Sequence, residues 1–173
     1  MSNRTQSTLL KFLPQIKTQL VLNSVFDNAD MVNYSLDSDF INLPGGNCYC
    51  LITPLEFASW QRSTDGGGVM GMILVGRVVL TIWSLNALDF VPTDNSSLLD
   101  PVLGLYTKVD NCITALQMFD PVAPNNLAEP MRLIDVSRPT RDPDHKDWVK
   151  VLITWECKIW QDVGQGDGCI NYY

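Results

Sequence analysis

Apolar positions along the chain fall into two periods, and the boundaries between them mark out the expected elements. Leu9, Leu10, Phe12, Leu13, Ile16, Leu20 and Val21 recur three and four residues apart behind Ser7, an acceptable cap, and predict an amphipathic helix over residues 8–22. Pro14 lacks a backbone donor and crowds the preceding turn, so the regular helix is expected to begin near Leu13, with a looser turn before it. In residues 28–40, Met31, Tyr34, Leu36 and Phe40 are separated by polar positions, the pattern of a short exposed or edge strand. Pro44-Gly45-Gly46-Asn47 has turn composition, and Cys48–Thr53 follows as a strand expected to stop at Pro54. Beyond Leu55–Trp60, a polar glycine tip over Gln61–Gly68 leads into Val69–Trp83, a long run rich in β-branched residues. Two β-rich arms around a glycine tip predict an extended hairpin. In its second arm Val78, Leu80 and Ile82 make an apolar face opposite Arg77, Val79 and Thr81.

A second helical repeat joins Leu99, Val102, Leu103, Tyr106, Val109, Ile113, Leu116 and Phe119, and predicts a helix over residues 97–119 with Pro101 in or near its first turn. After a proline-bounded loop, Met131, Leu133 and Val136 predict another strand. Arg138–Asp147 is dense in charge and turn formers and is expected to be a solvated loop. Trp148–Trp160 alternates strongly. Val149, Val151, Ile153, Trp155, Cys157 and Ile159 face one way; Trp148, Lys150, Leu152, Thr154, Glu156 and Lys158 face the other. That is the pattern of a half-buried antiparallel strand. Hairpin-linked strands between two helices predict an α+β domain: a mainly antiparallel sheet with a long β-hairpin and both helices packed on it. Residues 1–163 are expected to form this single domain, with 164–173 as a flexible, Gly-rich tail ending in aromatics.

Composition narrows the class. For 173 residues and 19.4 kDa, the surface law gives about 8,500 Å² folded against about 28,000 Å² extended, so about 70% can be buried without a staple. No apolar run approaches the ~18 residues of a membrane span. Charged residues are only 18%, below the usual ~25%, which leans toward a subunit whose surface is covered by partners. The net charge of −7 is spread evenly, and no Lys/Arg cluster of the kind that releases counterions from DNA is present. The first seven residues lack the basic and apolar regions of an export signal, so five cysteines are expected as free thiols in a reducing compartment.

There is no Gly-x-Ser-x-Gly, and the single histidine, His145, lies in a charged turn that suits a solvated residue better than a general base. Gly66-Gly67-Gly68 is followed by a strand and no lysine, so it is a hairpin tip and not a phosphate cradle. Cys48 and Cys50, with Cys157 and His145, could supply four zinc ligands, yet paired Cys-x₂₋₄-Cys knuckles are missing and buried thiols are the commoner reading. Asp142, Asp144 and Asp147 lack the glycine and spaced oxygens of a calcium loop. No metal or cofactor is expected. Trp60, beside the glycine tip, is the tryptophan least expected to serve core packing alone.

The order of elements resembles the tail terminator (tail completion) and neck proteins of long-tailed bacteriophages. The segments that carry the resemblance are Leu9–Leu22, Cys48–Trp83 around Gly66–Gly68, Leu98–Phe119 and Met131–Trp160, with Asp100-Pro-Val-Leu-Gly-Leu-Tyr106 and Asp147-Trp-Val-Lys-Val-Leu-Ile-Thr-Trp155 as characteristic phrases. It implies a structural virion subunit assembled in the host cytoplasm, without catalysis. The subunit would form a homo-oligomeric, hexameric ring that caps the tail tube protein and meets the head-tail connector. Viral DNA would pass through its channel without specific binding. An even negative charge suits such a wall, because it lets DNA slide. The contact candidates are Trp60, Arg62, Asp65, Gly66, Gly67, Gly68, Val69 and Met70 on the hairpin, and Arg138, Arg141 and Asp144 on the last loop. Three alternatives stand beside it. One is a head-closure or neck adaptor protein of the same connector region; another is a small cytosolic binding module using the glycine hairpin; the third is an enzyme acting through Asp135, Asp142 and Glu156.

Overall fold

A computed structural model describes residues 8–26, 28–34, 48–64, 70–85, 104–120, 128–144 and 148–162. For 8–11, 54–64, 70–74, 128–129 and 159–162 the description is of backbone. Helix α1 spans Thr8–Leu22, and a 3-10 turn, Ala29–Met31, leads into β1, Val32–Tyr34. The long strands are β2, Cys48–Thr64, β3, Met70–Leu85, and β6, Trp148–Asp162; α2 is Leu105–Leu116, β4 Ala128–Val136 and β5 Thr140–Arg141. The expected α+β architecture is present. The sheet order is β1-β2-β3-β6-β4, with β5 also on β6; only the β1–β2 pair is parallel.

Strands of 17, 16 and 15 residues reach about 55 Å at ~3.3 Å per residue, longer than the ~40 Å diameter of a compact chain of this length.

Both helices lie on one face, and the alternation in the strands explains why. Cys50 and Ile52 of β2, Val78, Leu80 and Ile82 of β3, and Val149, Val151, Ile153, Trp155 and Cys157 of β6 are buried in one cluster with Phe12, Ile16 and Leu20 of α1 and Leu105, Val109, Cys112 and Leu116 of α2. One bond ties the helices together and a second ties α2 to the segment after α1: Gln19 Nε2 donates to the Ala115 carbonyl at 3.1 Å, and buried Lys108 Nζ donates to the Val25 carbonyl at 2.9 Å. The opposite face holds a smaller aromatic cluster. Tyr49 stacks on Trp83 with centroids 6.2 Å apart and meets Trp148 at 5.1 Å, while Lys150 Nζ lies 4.9 Å above Trp83.

Several boundaries differ from expectation. Helix α1 runs through Pro14 from Thr8; Pro14 is exposed, so one helical hydrogen bond is forgone without burying an unpaired group. Strand β2 does not stop at Pro54. Among the described residues β1 pairs only as far as Ile52, and the β2–β3 register slips between Thr53 and Glu56, so Pro54 falls in a bulge, where a missing ladder donor is tolerated. Helix α2 ends at Leu116, short of Phe119. Within the charged segment, β5 pairs with β6 and Asp142 is buried, so it is not a wholly solvated loop. The expected turn at 44–47, the residues 97–103 of the second helix and the tail 164–173 lie outside the described residues. Among the described residues no helix is long and apolar enough to cross a membrane.

Candidate assembly interface

Among the described residues no three His, Cys, Asp or Glu side chains group to hold a metal ion. Cys50 and Cys157 share the helix-covered face but not a level: Cys50 pairs with Ile82 and Cys157 with Gly76 on β3, six residues or about 20 Å apart. Cys157 therefore cannot complete a site at Cys48 and Cys50, and His145 lies outside the described residues. Burial, then the negative charge of Glu156, pushes the Cys157 thiol up to about 12. Burial likewise raises Cys50 and Cys112. These thiols are neutral packing groups at neutral pH, not nucleophiles. The three carboxylates do not meet in one pocket either. Asp142 Oδ1 accepts the Asp144 N–H at 3.0 Å inside its own turn, Glu156 pairs with Arg132 at 3.3 Å, and Asp135 is exposed on β4.

The two sets of contact candidates stand at opposite ends of the sheet. Trp60, Arg62 and Met70 lie on the distal hairpin, paired with Leu74, Met72 and Thr64; Asp65, Gly66, Gly67, Gly68 and Val69 lie outside the described residues. Arg138, Arg141 and Asp144 are exposed around the β5 turn, where Arg141 opposes Val149 and Val149 opposes Ser84. From Ser84 to Met72 on β3 is twelve residues, about 40 Å. One partner surface cannot include both sets unless it runs the length of the strands.

A further set, not singled out from sequence, gathers where α2 meets β4. Met118 takes φ 64°, a left-handed conformation that is costly for a residue with a Cβ. It is held there by two backbone bonds, Met118 N–H to the Met131 carbonyl at 3.2 Å and Met131 N–H to the Phe119 carbonyl at 2.8 Å. These bonds replace the next helical turn, which is why α2 stops early. The Met118 side chain is 69% exposed. With Gln117, Pro130, Arg132, Glu156 and Lys158 it lines an open groove of about 440 Å³. Pairing also puts Arg77, Glu156 and Arg132 in one row of alternating charge across three strands. The signal available in sequence was the break in helical periodicity after Leu116, which Phe119 masked.

Comparison with solved structures adds one finding to this geometry. The fold recurs in a chain of the "virion of native gene transfer agent (GTA) particle", with a TM-score of 0.54, covering 92% of this chain and 100% of that one at 12% identity. The likeness is one of fold. No protein-family model matches the chain, and no curated protein does.

Proposed function

We propose that this protein is a structural virion subunit of the tail-terminator kind. It forms a ring at the end of a tail tube, stops tube growth and joins tail to head around the DNA channel. The observation that carries the reading is the fold shared, nearly end to end, with a chain of a gene transfer agent virion. Strands of 17, 16 and 15 residues, longer than the diameter of a compact chain of this length, support a role in which neighbours cover their faces and edges. In this reading the chain performs no chemistry; its work is to present surfaces to its own copies, to the tail tube protein and to the connector. The net charge of −7 keeps a channel wall from gripping DNA.

The same shared fold serves a head-closure or neck adaptor protein equally, so the test must separate the two. Light scattering of the purified protein, alone and with tail-tube protein or connector protein added, gives the mass of each assembly. A ring of about six copies, the number the family resemblance implies, formed alone or on the tube supports the terminator. Assembly only on the connector favours the adaptor. A monomer under all three conditions removes both.

A further inference from the structure

The exposed apolar side chains are not scattered. Six large ones are exposed among the described residues: Leu22, Tyr34, Tyr106, Met118, Ile134 and Val136. Three belong to the β4 edge of the sheet, namely Ile134 and Val136 on β4 and Met118 bonded to it. Tyr34 ends β1, the opposite edge, and Lys17 of α1 reaches over its ring at 5.9 Å; Leu22 ends the same helix. A single polar-faced monomer has no reason to concentrate apolar surface on two opposite edges.

The register relates the two edges. Tyr34 pairs with Ile52, Ile52 with Leu80, Leu80 with Ile153, and Ile153 with Val136. Tyr34 and Val136 are thus the two ends of one row across the described sheet. On the same side of that row, away from the β2–β3 turn, stand exposed Asp30 before β1 and exposed Arg138 after β4. β1 runs parallel to β2 and β4 antiparallel to it, so a neighbour in the same orientation brings antiparallel edges together.

We propose that the β4 edge of one copy docks on the β1 edge of the next, Ile134 and Val136 against Tyr34, and Arg138 toward Asp30. The occupant of each edge is a second copy of this chain. Two unlike patches at opposite edges make a head-to-tail contact, in which every subunit uses both; a two-fold contact would set Arg138 against Arg138. Because the patches end the same row, successive copies join without axial offset, and the contact closes into a flat ring instead of climbing into a filament. This rests on the ring reading above and names the surface that builds the ring, separate from the hairpin tip.

The test uses two variants at exposed positions, Tyr34→Arg and Val136→Arg, each checked for an unchanged circular dichroism spectrum and melting temperature. Each variant alone spoils one edge, and the concentration needed for assembly should rise by about tenfold or more, as for loss of a central anchor. Mixed in equal amounts, the two variants retain one intact contact between them and should form a species of two subunits. Variants that assemble like the wild type overturn the proposal while leaving a ring intact. A mixture that shows no two-subunit species overturns the head-to-tail geometry. A wild-type chain that stays monomeric even with tube and connector proteins fails the ring reading itself, and this contact with it.

Discussion

Titrating the protein from pH 8 to pH 11 under reducing conditions tests whether α1 and α2 seal the thiols beneath them. Cys50 and Cys112 are fully buried and Cys157 nearly so. All three sit above the ordinary thiol value of 9.0, Cys157 at about 12. Between 9 and 12 the unfolded chain has released these protons while the folded one retains them. Fewer protons in the unfolded state means that stability falls as pH rises, so the contribution is complete below about pH 8 and is lost above it. Each such thiol costs about 1.4 kcal/mol for each pH unit above 9. Cys50 and Cys157 together cost about 3 kcal/mol at pH 10 and about 5 kcal/mol at pH 11, and Cys112 acts in the same direction, against a typical total stability of about 5–15 kcal/mol. Burial also raises Tyr49, which adds to the loss above pH 10. Urea unfolding followed by tryptophan fluorescence should show this decline, with alkaline unfolding between about pH 10 and 11.5. Cys157→Ala should make the decline with pH shallower. Stability constant to within about 1 kcal/mol from pH 8 to 10.5 would refute the reasoning, because it would mean the thiols are reached by water in the native state.

Two substitutions probe the packing that supports the proposed interface. Trp155 is completely buried, yet its indole N–H has no hydrogen-bond partner, so Trp155→Phe should cost no more than about 1–2 kcal/mol whereas Trp155→Ala costs about 3–5 kcal/mol; equal costs in thermal melts would show that the N–H is satisfied after all. Met118→Gly should raise stability by about 0.5–1 kcal/mol by relieving the left-handed backbone, and a loss of stability would show that the fold depends on contacts of the Met118 side chain.

Local chemistry made the strands and core faces legible, because a period of two is written in neighbouring residues: β6 buries Val149, Val151, Ile153, Trp155 and Cys157, as its alternation predicts. What stayed hidden was decided by partners distant in sequence. Pro54 looks like a strand end until the β2–β3 register is seen to slip between Thr53 and Glu56. Helix α2 ends where Met131 offers its backbone to Met118, a bond no helical wheel contains. The β5 bridge and buried Asp142 are concealed in a segment whose composition is that of a loop. The row from Tyr34 to Val136 depends on β6 lying between β3 and β4, an order that hairpin logic along the chain does not determine. The glycine tip and the last charged loop carry turn chemistry that is visible in the sequence, whereas the edge residues Tyr34, Ile134 and Val136 have the composition of ordinary strand positions.

The two proposed contact surfaces, arm and edge, differ in what their removal should do to the fold. Every residue of the main described core lies at the row of Gly76 and Cys157 or on the helix side of it. Ser63 and Thr64 pair with Gly71 and Met70, five and six residues further out along β3, about 17–20 Å from that row. Deleting residues 63–68 therefore removes two ladder rows and leaves the described core untouched, and Arg62 can still pair with Met72 around a loop of three residues. The expected cost is about 1 kcal/mol, the order of the two backbone pairings lost, with far-ultraviolet circular dichroism little changed. If the arm is a contact between subunits, ring formation or docking on the tube weakens although the domain stays folded. A loss above about 3 kcal/mol would place part of the core in the arm, and an assembly of unchanged mass and tube affinity would leave the edges as the surface that holds the copies together.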